Sequence, residues 1–229
     1  MTLAIMQPYL FPYIGYWQLI NAVDTFVIYD DVNFIKQGYI NRNSILTNGK
    51  SQQFTLELIG ASSNKLINEI SVGNNKNKVL KTIKQNYSKA PYYNEIIIII
   101  EEILNNEEKN LAKFIGFSLM KISNYLGINT KFMFSSDIEK YNDLKAQEKV
   151  LEICKILQAN KYINAIGGQE LYSKEIFREN KIELNFLKTK LLEYKQFNYE
   201  FVAYLSIIDV LMFNDKEKVK HYLNDFELI

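Results

Sequence analysis

Cysteine, histidine and proline are almost missing from this chain. One cysteine, one histidine and three prolines are spread through 229 residues. A lone cysteine, Cys154, excludes an internal disulfide. It sits in VLEICKILQ, an apolar helical pattern, which predicts a buried, inert thiol and suits a reducing compartment. The one histidine, His221, falls in the amphipathic tail, where a surface or structural role is expected. No Cys/His cluster has zinc spacing, and no Walker A, G-x-S-x-G or full G-x-G-x-x-G motif is present. Long apolar runs are missing too. The longest, Ile96 to Ile100, is far too short to span a bilayer, so no membrane insertion is expected. No basic segment precedes the first apolar run and no small-residue cleavage site follows it. The expectation is therefore no secretory signal and a cytoplasmic location. Charge of one sign is lacking as well. The 27 basic and 26 acidic residues leave +1, which excludes a global field for nucleic acid or membrane surfaces but not a local patch.

What the chain does have is apolar and aromatic bulk. Hydrophobic residues make up 48%, enough for one sizeable core. TLAIM reads as a buried strand that Pro8 ends. YWQLINAV has apolar residues at helical spacing, and TFVIYDD reads as a second strand. Strand, turn, helix and strand within 31 residues make a βαβ unit with parallel strands and a right-handed crossover. Asn48-Gly49 is a two-residue hairpin signal, with SQQFTLELI as the returning strand. Residues 76–127 are helical in pattern. INTKFMFSS reads as a strand, leading through DIEKYND to the helix LKAQEKVLEICKILQ. KYINAI and KIELNFLK are strands with the helix QELYSKEIFREN between them. The tail, LSIIDVLMFNDKEKVKHYL, is helical. The prediction is one α/β domain over residues 1–229. It has a mainly parallel, doubly wound sheet of HUP/Rossmann-like type, a β-hairpin insertion and a helical insertion over 76–127.

Two of the three prolines and three tyrosines fall in MQPYLFPYIGYW, directly after the first strand. Ligands of open parallel sheets sit beyond the carboxyl ends of the strands, near a switch point. Gly15 near the helix start permits close backbone approach, and the helix N–H groups attract anions. The tyrosines offer stacking faces and hydroxyls. QPYLFPYIGY then reads as the floor of a nucleotide or phosphate site, with Gln7, Tyr9, Tyr13, Gly15 and Tyr16 as its residues. A rigid aromatic plug over the sheet end explains the same stretch.

Further candidates carry two readings each. Asp30 and Asp31 end the second strand, and neighbours on a strand point to opposite faces. One serves as a Mg²⁺ ligand or base, or both are ordinary strand-end aspartates. Lys36 and Arg42 flank QGYIN in the loop before the hairpin and, with Asn41 and Asn43, could grip phosphate, lysine as a point charge and arginine as a fork. A solvated loop is the alternative. Gly167 and Gly168 follow a strand, with Gln169 and Tyr172 beyond, and form either a ligand approach or a plain tight turn. The serines at 135 and 136 with Asp137 read as caps. Ser206 reads as an N-cap, with Asp209 completing a capping-box-like start.

The stretches MQPYLFPYIGYWQLI and DTFVIYDDVNFIKQGYINRN resemble the opening of the WbqC-like family of bacteria. NAIGGQELY and YKQFNYEFVAYLSIIDVLMFN are similar to later segments of that family. The resemblance implies a place in surface-polysaccharide (lipopolysaccharide, O-antigen-type) assembly. A more distant likeness is to HxGH-type adenylate-forming and nucleotidylyltransferase enzymes such as pantothenate synthetase. Tyr13-Ile14-Gly15-Tyr16 stands where they carry His-x-Gly-His. Tyrosine is a neutral donor with a pKa near ~10, so Lys36, Arg42 or a metal would have to supply positive charge. Together the likenesses imply an amide-forming ligase or N-acyl/aminoacyl transferase. It would act on a nucleotide-linked amino sugar, with a small amino acid or acyl donor and ATP with Mg²⁺. Asp30, Asp31 and Lys36 would be its catalytic residues. Two rivals are a non-catalytic nucleotide-sugar or partner-binding protein and a transferase that uses aminoacyl-tRNA as donor.

Overall fold

A computed structural model describes residues 1–141 and 143–229. Asn142, inside the DIEKYND connection, lies outside the described residues. The first strand, β1 (Thr2–Met6), is followed by α1 (Ile14–Asn21) and β2 (Thr25–Ile28), which is buried throughout. β1 pairs in parallel with β2, so the βαβ unit expected from the sequence forms. Beyond it, β3 (Arg42–Thr47) and β4 (Lys50–Thr55) make a hairpin. Asn48 and Gly49 form its turn at φ 49° and 75°, the two positive values that a tight primed turn requires. The returning strand stops at Thr55, sooner than the sequence suggested. Leu58 and Ile59 leave as β5 (Leu58–Ile59) and pair with β6 (Ser71–Val72) in a separate ladder.

Three helices follow: α2 (Lys76–Tyr87), α3 (Tyr93–Asn105) and α4 (Leu111–Leu126). Each buries apolar residues spaced three and four apart, such as Val79, Ile83 and Tyr87 on α2. Asn110 caps α4 by accepting from Lys113 N–H, and Gly127 ends it at φ 74°, where Ile128 N–H reaches back to the Ser123 carbonyl. The chain re-enters the sheet as β7 (Lys131–Phe134). It continues through α5 (Ala146–Ile156), β8 (Lys161–Ala165), a 3₁₀ stretch from Ile166 to Leu171, α6 (Lys174–Glu179) and β9 (Glu183–Thr189). The helix expected over QELYSKEIFREN is thus broken at Tyr172-Ser173, and Ser173 caps its second half by accepting from Ile176 N–H. The tail splits at Asn214-Asp215 into α7 (Ile207–Phe213) and α8 (Lys216–Tyr222), because Asp215 caps a new helix. It ends in β10 (Phe226–Leu228), an edge strand antiparallel to β9.

The central sheet has the order β7-β2-β1-β8-β9-β10, parallel in all but its last pair. Side chains alternate across it. Ala4, Phe26 and Ile28 join the cluster formed with α1, the three middle helices and α7. Leu3, Ile5 and Val27 join a second cluster with α5 and α6. Helices therefore cover both faces. Chain order reverses between β1 and β8, so the segments leaving these two strands diverge and open a crevice. Among the described residues no helix is long and apolar enough to cross a membrane.

Candidate functional site at the strand crossover

The turn after β1 is held open by side chains from elsewhere. Phe11 takes φ 44°, a left-handed value that costs a phenylalanine roughly 1–3 kcal/mol and needs support. Its carbonyl accepts from Asn43 Nδ2 (2.8 Å) and Ser206 Oγ (2.8 Å). Leu10 O also accepts from Asn43 Nδ2 (3.1 Å), and Pro12 O accepts from Trp17 Nε1 (3.0 Å) and Ile207 N–H (3.0 Å). The hairpin and the start of α7 thus clamp the turn from two sides.

Beside this turn lies a cavity of about 430 Å³. Its lining comes from the opening turn (Tyr9, Pro12, Tyr13, Tyr16), the loop before the hairpin (Tyr39), β3 (Asn43), the end of β8 (Ala165, Ile166, Gly167) and Tyr204. Residues from three segments far apart in the sequence thus line one cavity. The tyrosines form a chain of rings. Tyr39 meets Tyr9 at 6.2 Å, Tyr9 meets Tyr16 at 5.6 Å, and Tyr16 meets Phe26 at 5.4 Å. The Tyr16 hydroxyl donates to Gln7 O (2.8 Å). Burial pushes the phenols of Tyr9 and Tyr16 up, Tyr39 adding to the first and Tyr9 to the second, so both stay protonated near neutrality. No carboxylate, cation or imidazole is among the lining residues. The surface can stack on a flat ring and offer neutral hydrogen bonds.

Other expected site residues stand elsewhere. An added Cβ on Gly15 would collide with Thr189 Oγ1 and the Tyr13 phenol, so this glycine makes room for side chains rather than for a bound anion. Gln7 is half-buried outside the lining. Arg42 donates through Nε to Gly38 O (2.9 Å) and through Nη2 to Gln37 O. Asn41 Nδ2 donates to Leu56 O (2.8 Å). Lys36 and Gln169 are exposed. Gly168 packs on Asn164, whose amide would lie 3.0 Å from an added Cβ, whereas Gly167 faces open space. Tyr172 packs on Tyr162 (5.8 Å) and Phe177 (6.0 Å) in the other cluster, away from this cavity.

The two aspartates part company. Asp30 is buried, and its carboxylate accepts from Ser136 N–H (2.9 Å), Ser136 Oγ (2.7 Å) and Asn68 Nδ2 (3.4 Å). Ser136, expected as a helix cap, instead ties β7 to the end of β2. Asp31 Oδ2 pairs with Lys140 (2.8 Å) and Lys149 (3.1 Å), and Lys149 also donates to Asp31 O (2.9 Å) and lies over the Tyr29 ring. Burial pushes the Asp31 carboxyl up, but the ammonium groups of Lys140 and Lys149 outweigh it and hold it below the usual carboxylate range. A Mg²⁺-bound triphosphate asks for free carboxylate ligands beside the phosphates. Asp30 has both oxygens committed, and Asp31 keeps only Oδ1 unpartnered, buried and beside two lysines that already neutralise it, so the residues present do not fit the expected ATP with Mg²⁺.

Sequence reasoning missed Tyr39 and Tyr204 at the rim, although both sit inside stretches that carry the family resemblance. It also missed Lys140 and Lys149, for which no spacing signal exists. Asp209 was expected to complete a cap. Ser206 does cap α7, its Oγ accepting from Ile208 N–H (3.2 Å), but Asp209 turns into the core. There it accepts from Tyr87 (2.7 Å), Tyr194 (2.7 Å) and Gln196 Nε2 (2.6 Å).

Over 225 residues the chain is 29% identical to the uncharacterized protein Rv1507c of Mycobacterium tuberculosis, covering 96% of each chain. No solved structure matches it. The model of the WbqC-like protein family matches residues 7–221, a span that takes in the opening turn, the hairpin, β8 and α7. The chain that builds this tyrosine-lined cavity therefore belongs to the WbqC-like protein family.

Proposed function

We propose that the chain holds a nucleotide-linked amino sugar in the crossover cavity and acylates the sugar amine during assembly of a surface glycan. The observation that carries this reading is the cavity itself. It holds five tyrosines and no charged lining residue at the point where strand order reverses. Open α/β sheets take ligands at such points, and the parallel order β7-β2-β1-β8-β9 is the one expected of a HUP/Rossmann-like nucleotide-binding sheet. Aromatic faces suit a nucleobase or the apolar face of a sugar, and a stacked base is worth about 1–3 kcal/mol. The exposed Lys36, three residues from Tyr39, is the proposed partner of the diphosphate. The link to surface glycans comes from the family resemblance. Amide formation here takes a donor that arrives already activated as an ester or thioester. The amine attacks the acyl carbon, the C–N bond forms as the C–O or C–S bond breaks, and the amine's proton leaves to water.

The uncharged lining favours a second reading, a binding protein without chemistry, because it holds no general base. Calorimetric titration with UDP-glucosamine, UDP and glucosamine tests the binding step, with tighter binding of the whole molecule than of either part expected. Mass spectrometry of UDP-glucosamine incubated with protein and acyl thioesters tests the second step. Binding without an acylated product would establish the second reading, and failure of UDP-glucosamine to bind would remove both.

A further inference from the structure

We infer that the hollow adjoining the aromatic cavity is a second ligand site, shaped for an apolar acyl chain that ends in an anionic group. The hollow measures about 390 Å³. Ile14 of α1, Leu192 after β9, and Leu205 and Val210 around the start of α7 form its walls. Tyr194 also lines it, and its hydroxyl is committed to Asp209 at 2.7 Å. Apart from the side-chain hydroxyls of Tyr13, Thr189 and Tyr204, the walls are apolar, and apolar area this concave gains by excluding water when a chain fills it.

The mouth differs from the walls. Lys188 and Lys190 stand at its edge. Lys190 is paired with Asp225 at 3.1 Å. Lys188 is exposed and has no ion pair among the described residues, although Glu227 is its register partner on β10. One uncommitted cation at the mouth of an apolar hollow complements a chain with an anionic head, either a carboxylate or a phosphate. Tyr204 supplies an independent sign of a ligand clamp. It is 78% exposed, sits at φ 60° and lines both hollows, as does Tyr13. A left-handed, solvent-exposed tyrosine is strained, and such strain persists where a clamp needs it. The position beside the aromatic cavity would seat the acyl part of the donor next to the sugar. That link rests on the function proposed above, but the site does not.

The test is titration with straight-chain carboxylic acids of about four to ten carbons, their methyl esters and alkyl phosphates of matching length. Each added methylene is expected to tighten binding about fourfold until the hollow is full. Esters are expected to bind several-fold more weakly than acids, and Lys188→Ala to erase that difference. Whichever of carboxylate and phosphate binds tighter identifies the head. Ala203→Phe, which fills the hollow, and Leu191→Asp, which puts negative charge on a 74%-exposed rim residue, should each weaken the longest acid at least tenfold with the unfolding midpoint unchanged. Flat chain-length dependence, or two folded variants that bind as wild type does, would overturn the site. So would displacement of the acid by UDP, since one ligand would then occupy both hollows. Chain-length-dependent acid binding by a protein that ignores UDP-glucosamine would keep this site and remove the function proposed above.

Discussion

Asp209 is a buried carboxylate surrounded by donors rather than cations. Burial raises its pKa, while hydrogen bonds from Tyr194, Tyr87 and Gln196 pull the other way without prevailing. Replacing it with alanine would leave those three donors unpaired in the core, at about 3 kcal/mol, measurable as a lower urea midpoint with an unchanged slope. Cys154 gives the opposite expectation. Burial pushes its thiol up to about 12, so a thiol reagent at pH 8 should label only unfolded protein, and Cys154→Ser should cost about 1 kcal/mol. The sequence made Tyr9, Tyr13, Tyr16 and Gly167 legible as candidates because they cluster in two short stretches at strand ends. It misled at Asn41 and Arg42. A dense polar loop reads as a ligand grip, but here its amides and guanidinium satisfy carbonyls of the folded turn, which cannot be left unpaired. The partners of Asp31 were illegible because Lys149 lies 118 residues away in the chain and no periodicity connects them.

Gly49 and Gly127 both take φ near +75°, yet their surroundings differ. At Gly127 an added methyl finds its nearest neighbour, Lys220 Cε, at 3.7 Å, so Gly127→Ala should cost about 1 kcal/mol of backbone strain alone. At Gly49 the methyl would sit 2.7 Å from Tyr199 Cδ1, and Gly49→Ala should cost more, about 2 kcal/mol. Urea unfolding of the two variants checks the order. The βαβ unit, the hairpin and the three middle helices were readable because each carries its own signal: a period, a turn dipeptide or a cap. The edge strand β10 was not. It is three residues, two of them exposed, whose extended form depends on pairing with β9, a tertiary contact that leaves no local pattern. The breaks at Ser173 and Asp215 were hidden for the converse reason, since the apolar spacing runs on while a single capping side chain restarts the helix.

Asp31 and Asp209 bend the pH dependence of the whole fold in opposite directions. The Asp31 pKa is depressed on folding, so its contribution is present above the unfolded value of about 3.9 and is lost as pH falls through the folded value. The Asp209 pKa is raised, so its contribution is full below about 3.9 and declines as pH rises through the folded value. Asp31→Asn should therefore flatten the acid limb of a stability profile, and Asp209→Asn the limb above it, as read by urea unfolding at stepped pH. At the crossover, five tyrosines close on an uncharged space. That this space receives a ring-bearing ligand is the central claim. Calorimetric titration of UDP-glucosamine into wild type, Tyr9→Ala and Tyr39→Ala examines it directly. Tyr39 is 58% exposed and meets the Tyr9 ring at a tilt of 53°, so its removal should leave stability nearly unchanged. Saturable one-to-one binding that weakens by about 1–3 kcal/mol in each variant is the expected result. Equal affinity in all three proteins, or no binding by the wild type, would contradict it and leave the tyrosines as a plug over the end of the sheet.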